Sequence, residues 1–197
     1  GSITDTGDFT IDVAGDITLD ADGGDIRFKD GGTHIGSIYN DSTNLAIYSK
    51  VNNADMKFIG VDGGSDVTAL TLDMSEAGAA AFNNSVKAKT YQETYAAKSA
   101  ASTVTCDLAT AQHFSVTVSA NTTFAFTNPP SSGTSYSFTL IVTQHSTAVT
   151  LTWPNTVDWA GGSAPAVAGN NEVQAYGFVT RDGGTTYYGF LGGTAIA

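Results

Sequence analysis

Apolar and polar residues alternate with a period of two almost from the start of the chain. Phe9, Ile11 and Val13 interleave with Thr10 and Asp12; Ile17, Leu19 and Ala21 repeat the pattern after Gly15-Asp16; Ile26 and Phe28 repeat it after Gly24-Asp25. Successive strand residues point to opposite faces of a sheet, so this alternation predicts short strands with one apolar face each. Looser versions follow in NLAIYS, DMKFIGV and VTALTLDM, separated by NDST, NNA and VDGGSD. Strands with two or three apolar side chains bury little surface, while ordering each backbone residue costs about 1–2 kcal/mol. Residues 3–84 are therefore expected to complete their core by stacking repeats or interleaving with identical chains.

The pattern then changes twice. Residues 85–102, SVKAKTYQETYAAKSAAS, are the one stretch with helix-compatible composition, and are read as a neck between two parts. Over residues 103–197 the alternating runs lengthen: TVTCDL, HFSVTVSA, TTFAFTN, SYSFTLIVTQ, AVTLTW, EVQAYGFVT and TTYYGFLGG. Turn signals separate them, apart from one long irregular segment, PNTVDWAGGSAPAVAGNN. Many short strands spaced by turns predict an antiparallel β-sandwich of jelly-roll type. The fold class expected for the whole chain is all-β, with a repetitive β-helix or β-prism shaft followed by that sandwich.

Composition supports this reading. The chain has 197 residues, 22 of them Gly, and a net charge of −11 from 19 acidic and 8 basic side chains. Sixteen of the acids are Asp, many beside Gly, which is turn chemistry rather than the Glu-rich surface of helices. Residues 1–90 hold 14 acidic and 6 basic side chains, whereas 103–197 hold 4 and 1. Such a balance repels phosphate backbones and argues against nucleic-acid binding. No apolar run approaches the roughly 18 residues of a membrane-spanning helix. Gly1-Ser2 reads as a cloning remnant, and the start within a repeat is expected of the distal end of something longer. Cys106 is the single cysteine, which rules out a disulfide within one chain and reads as a small buried hydrophobe.

The chemistry-bearing residues form few constellations. Asp20, Asp22 and Asp25 cluster as calcium ligands can, but the spacing fits neither an EF-hand loop nor the Gly-Gly-x-Gly-x-Asp β-roll repeat. Asp and Gly at strand corners account for them, so no metal or cofactor is expected. His34, His113 and His145 lie in separate segments without HxH or HExxH spacing, and no GxSxG elbow or Walker A loop occurs. A glycosidase needs two carboxylates about 5–9.5 Å apart, for which Asp158 and Glu172 are the one candidate pair near aromatics in the second half. The chain is accordingly read as a non-enzyme. Phe124, Phe126, Tyr136, Phe138, Tyr176, Phe178, Tyr188 and Phe190 fall at i, i+2 positions, as packing residues of a sandwich do. Trp159 in the irregular segment, with Asp158 beside it, and Tyr187, opposite in parity to Tyr188, are candidates to stack on sugar rings. Arg181 in the neighbouring Arg-Asp-Gly-Gly turn completes this candidate set.

The phrase GDITLDADGGDIRFKDGGTHIGSI, followed by short polar strands, resembles the shafts of tail fibres of tailed bacteriophages. The phrases VSANTTFAFTNPPSSGTSYSFTLIVTQ, LTWPNTVDWAGGSAP and TRDGGTTYYGF are similar to a C-terminal module of such fibres, and together these stretches cover most of residues 7–192. The resemblance implies a structural virion protein, extracellular and homotrimeric, joined to the rest of the fibre. Its C-terminal tip is expected to adhere to a bacterial surface receptor: lipopolysaccharide, another glycan or an outer-membrane protein, without inserting into the membrane. Unlike some such fibres, the chain is expected to lack a C-terminal intramolecular chaperone that is cleaved off, and trimerisation is expected to proceed without one. The rival readings are a tailspike-like enzyme degrading surface polysaccharide and a bacterial adhesin stacked on calcium.

Overall fold

The computed structural model describes residues 6–147 and 149–196, and among them the regular structure is fifteen β-strands with no helix. The chain divides between residues 88 and 89 into two compact units.

The N-terminal unit holds two three-stranded antiparallel meanders: β1 (Asp25–Asp30), β2 (Thr33–Asp41) and β3 (Asn44–Ser49), then β4 (Met56–Asp62), β5 (Ser65–Asp73) and β6 (Ala79–Phe82). Both open with the same hairpin, Asp30-Gly31-Gly32-Thr33 and Asp62-Gly63-Gly64-Ser65. The central glycines have φ of +53° and +84° in the first turn and +58° and +85° in the second. Two consecutive positive φ values define the I′ turn, whose twist matches that of the flanking strands and which only residues such as Gly adopt without strain. The Asp-Gly-Gly phrases are thus corners. The two opening phrases, Phe9–Val13 and Ile17–Ala21, depart from expectation: neither forms a strand. A strand needs a neighbour for its N–H and C=O groups, and no strand among the described residues pairs with either phrase. Apolar residues of the paired strands are likewise left uncovered. Ile26, Ile38 and Ile47 line up across β1, β2 and β3, yet Ile47 is 61% and neighbouring Leu45 80% exposed. Among the described residues of this unit only Ser37 is buried.

The C-terminal unit begins earlier than the expected neck allows. Tyr95–Lys98 (β7) is an edge strand of a six-stranded sheet, with Ala96 packed against the core, so part of 85–102 belongs to the domain. The strands that follow are β8 (Thr103–Asp107), β9 (His113–Thr117), β10 (Thr122–Thr127), β11 (Tyr136–Thr143), β12 (Leu151–Thr152), β13 (Val157–Trp159), β14 (Val173–Thr180) and β15 (Tyr187–Ile196). From β7 to β13 the chain alternates between two sheets, ordered β13-β15-β14-β11-β9-β7 and β12-β10-β8. Each strand returns parallel to the one two before it, so β7, β9 and β11 run parallel, as do β8, β10 and β12. Only β11-β14 and β14-β15 pair antiparallel. This corrects the expected antiparallel pairing. The cause lies in the connectors: Leu108, Ala111 and Val118 are buried, so the segments carrying them are corners turned over the core, not exposed hairpin tips. The Tyr136 hydroxyl fixes the first corner, its one proton shared between Leu108 O and Ala111 O, both at 3.0 Å. Parallel strands need a long crossover, and here the opposite sheet supplies it.

Both sheets close on one core. Val104, Cys106 and Phe124 come from the smaller sheet; Phe114, Phe138, Leu140, Tyr176 and Phe178 come from the larger. Phe126 meets Phe138 and Phe178 edge-on, both at 4.9 Å, a favoured aromatic geometry. Cys106 is fully buried, and desolvation pushes its thiol up to about 12, against a smaller opposing pull from Lys98. Since the thiolate is the reactive form, native protein is expected to resist alkylation at Cys106 until it unfolds. Tyr136→Phe, which strips two corner carbonyls of their donor, should cost about 1 kcal/mol and speed that alkylation. Rapid labelling of the native wild type, or an unchanged rate in the variant, would contradict this account of the corner.

Candidate functional site

The expected recognition residues lie at one end of the six-stranded sheet. Strand β13 pairs parallel with β15, setting Val157 opposite Tyr187, Asp158 opposite Tyr188 and Trp159 opposite Gly189. Alternation sends the first and third of these pairs toward the core and the middle one outward. Tyr187 is 2% exposed, its ring 5.2 Å from Phe126, and burial, followed by the charge of Asp182, raises its hydroxyl pKa. It is a core residue, which corrects its assignment to binding. Trp159 is half-buried, 5.1 Å from Trp153 and 5.6 Å from Phe178. A Cβ on Gly189 would meet the Trp159 ring at 2.7 Å, so the absence of a side chain there is what admits the indole.

The outward residues are different ones. Tyr188 and Phe190, expected to pack, are exposed on the outer face. Arg181 lies over the Tyr188 ring at 5.9 Å, a cation–π distance, and Asp158 sits across from it on β13. The loop carrying Arg181 is held by Asp182, whose carboxylate accepts from Thr186 N at 3.0 Å and Thr180 Oγ1 at 3.1 Å; the Thr186 bond is the main reason its pKa is lowered. Of the four candidates, then, Asp158 and Arg181 flank an exposed aromatic, Trp159 supports them from beneath, and Tyr187 is removed.

One register row further along the same face, Phe190, Gly177, Thr139, His113 and Tyr95 stand side by side across five strands. Gly177 leaves a gap, since a Cβ there would meet nothing within 4 Å. The resulting notch, about 180 Å³, is lined by Phe190, Thr139, Ser137, His113 and Glu93 among others. His113 is fixed on both ring nitrogens, Nδ1 to Thr139 Oγ1 at 2.6 Å and Nε2 to the Glu93 carboxylate. The Thr139 amide is committed to Gln112 O at 2.9 Å. The notch therefore offers an aromatic wall and fixed polar groups, the composition of a small ligand site. Sequence reasoning missed Glu93 and His113 because the winding, not sequence proximity, brings them together. The opposite parity of His113 to buried Phe114 was the available signal.

The acidic pair weighed for glycoside hydrolysis does not assemble. Asp158 shares a register row with Val179, whereas Glu172 precedes Val173 at the other end of β14, on the order of 20 Å away along the strand. Glu172 instead accepts from Gly169 N at 2.8 Å within the long loop. That loop is pinned from inside by buried Gln174, which bonds Ala168 N and Ala166 O and accepts from Tyr176 Oη at 2.7 Å. Among the described residues no group of three or more His, Cys, Asp or Glu converges as metal ligands do.

No family model, curated protein or solved structure matches the chain. The distinction between the two tyrosines can be measured. Tyr187→Ala should lose about 3–5 kcal/mol in denaturant unfolding, the cost of an emptied aromatic core position. Tyr188→Ala should stay within about 0.5 kcal/mol of wild type. Equal losses at both positions would overturn the assignment of faces.

Proposed function

We propose that this chain is the distal part of a tail fibre of a tailed bacteriophage. In this reading it is a structural virion protein that acts outside the cell as a homotrimer and holds a receptor on the bacterial surface. The observation that carries the proposal is the contrast between the units. Ser37 is the one buried residue described in the first, while the second has a full aromatic core. Phe9, Leu19, Leu45, Ile47, Phe58 and Val61 are among the large apolar side chains left exposed in the first. Copies of the same chain are the economical cover, since every copy brings the same unpaired strands and apolar faces. Winding the three chains into a β-helix or β-prism shaft would supply the missing core and pair the Phe9–Val13 and Ile17–Ala21 phrases.

The second unit then serves as the tip, and its outer face carries the recognition residues. Tyr188 and Phe190 offer π faces to sugar CH groups, and Arg181, Asp158 and Glu93 supply directed polar contacts, with His113 holding the Glu93 carboxylate in place. A surface glycan is the receptor chemistry this face suits best. Three weak sites on one fibre gain strength from a dense receptor.

Solution mass tests the assembly: a value three times that of the single chain is expected, and a stable monomer at micromolar concentration would refute it. Binding of fluorescent protein to host cells tests the tip. Gly177→Val adds bulk to the notch at a position where a Cβ meets nothing within 4 Å, and Arg181→Ala removes the cation. A loss of about fivefold per site compounds to about a hundredfold when three sites act together. Undiminished cell binding by both variants, with the trimer intact, would exclude this face.

A further inference from the structure

The N-terminal unit contains a second concave surface, on the side of the first meander away from Ile26, Ile38 and Ile47. Alternation places Asp25, Arg27, Ser37, Tyr39, Tyr48 and Lys50 on that side, and His34 joins them. His34 does so because the β1-β2 register shifts between Phe28 and Lys29, leaving Ile35 as the extra residue of a bulge. Strict alternation would put His34 with Gly36 on the apolar side; the bulge re-aims it, as bulges beside functional sites do. Its Nε2 lies 2.8 Å from Ser37 Oγ and 3.1 Å from Gly36 O. A carbonyl can only accept, so Nε2 carries the proton and Nδ1 has no partner among the described residues. Gly36 is fixed by its neighbour, since a Cβ there would lie 2.8 Å from Tyr48 O. The concavity, about 350 Å³, falls at the lower end of the range of ligand pockets, roughly 300–1,000 Å³.

Its chemistry runs against that of the surrounding unit. Residues 1–90 are strongly acidic, yet this surface gathers Arg27, Lys50 and His34 around a single carboxylate, Asp25. Arg27 holds Asp25 through Nη2 at 2.7 Å and Nε at 3.1 Å, both to Oδ2. Lys50 has no carboxylate partner among the described residues and stands 5.2 Å from the centroid of the Tyr48 ring. Tyr39 and Tyr48 form the wall, their centroids 6.0 Å apart at 56°, and neither hydroxyl is hydrogen-bonded among the described residues. Aromatic faces accept sugar CH groups, unengaged hydroxyls bond to sugar OH groups, and an unpaired ammonium beside them calls for an anion.

The geometry points to a binding site on this face for a sugar ring bearing an anionic substituent, a uronic acid or a phosphorylated hexose. Tyr48 and Tyr39 receive the ring, Lys50 and Arg27 the anion, and His34 with Ser37 forms the floor. The site is separate from the outer face of the C-terminal unit and stands or falls independently of it.

Saturation-transfer NMR on the full chain, titrated with glucuronate, glucose 6-phosphate and glucose, with inorganic phosphate read as a competitor that displaces glucose 6-phosphate, tests the assignment. Either anionic sugar, or both, should bind with its ring protons saturated, and which one binds tells a carboxylated from a phosphorylated source. Glucose should bind at least about tenfold more weakly. Lys50→Gln should weaken the anionic sugar about tenfold, and Tyr48→Ala should remove the ring signals; Lys57→Gln, on the second meander, should change nothing. Absence of binding by both anionic sugars overturns the proposal. So does inorganic phosphate matching glucose 6-phosphate in affinity, or a Lys50→Gln variant that binds like wild type. Because soluble sugars are read here, not cells, failure leaves the receptor proposal untouched, and loss of cell binding in Gly177→Val leaves this one untouched.

Discussion

A β-strand makes two demands that a single chain must meet: its backbone groups need a neighbouring strand, and its apolar face needs cover. Much in this molecule follows from how differently its two units answer. The C-terminal unit meets both demands internally by winding back and forth between two sheets, so that every turn of chain brings a strand to each sheet and side chains to the shared core. The N-terminal unit pairs six strands into meanders and leaves their apolar faces open. The proposed homotrimer is the answer to that second demand, and the same sidedness frees the opposite face of the first meander for polar and aromatic residues.

The winding also accounts for where the candidate site lies. Parallel return of β7, β9 and β11 carries Glu93, His113 and Thr139 to adjacent positions, although the first and last are far apart in sequence. The antiparallel β14-β15 pair then adds Gly177 and Phe190 to the same row. A small gap in an otherwise regular face arises because one residue of that row, Gly177, lacks a side chain.

Period-two alternation made most of the strands legible in the sequence, and Asp-Gly-Gly made the hairpin corners legible. Alternation is blind to strand direction, however: a strand reads the same whether its neighbour runs with it or against it, and the parallel pairing of β8 with β10 left no trace in the strands themselves. The buried Leu108 and Val118 in the connectors were the available clue, since hairpin tips are seldom apolar. Alternation also fixed Tyr187 and Tyr188 on opposite faces without saying which was inside. The bulkier set, Tyr188 and Phe190, looked like the core set. It faces outward because Trp159, from a segment read as irregular, fills the space above Gly189. The phrases at Phe9 and Ile17 have strand-like sequences that pair with no strand among the described residues.

The winding has a kinetic corollary. In the β14-β15 hairpin Val179 meets Tyr188 after a short loop, whereas Thr103 reaches Thr123, and His113 reaches Thr139, only after a full turn through the opposite sheet. Loop-closure entropy grows with the intervening length, and non-local pairings are slow to form. The hairpin is thus the natural nucleus of the C-terminal unit, and within that unit it is synthesised after the strands it must gather. The strands made earlier must wait for it, holding Phe114, Phe124 and Phe138 uncovered in the meantime, which makes the order of synthesis the reverse of the order in which this unit can close.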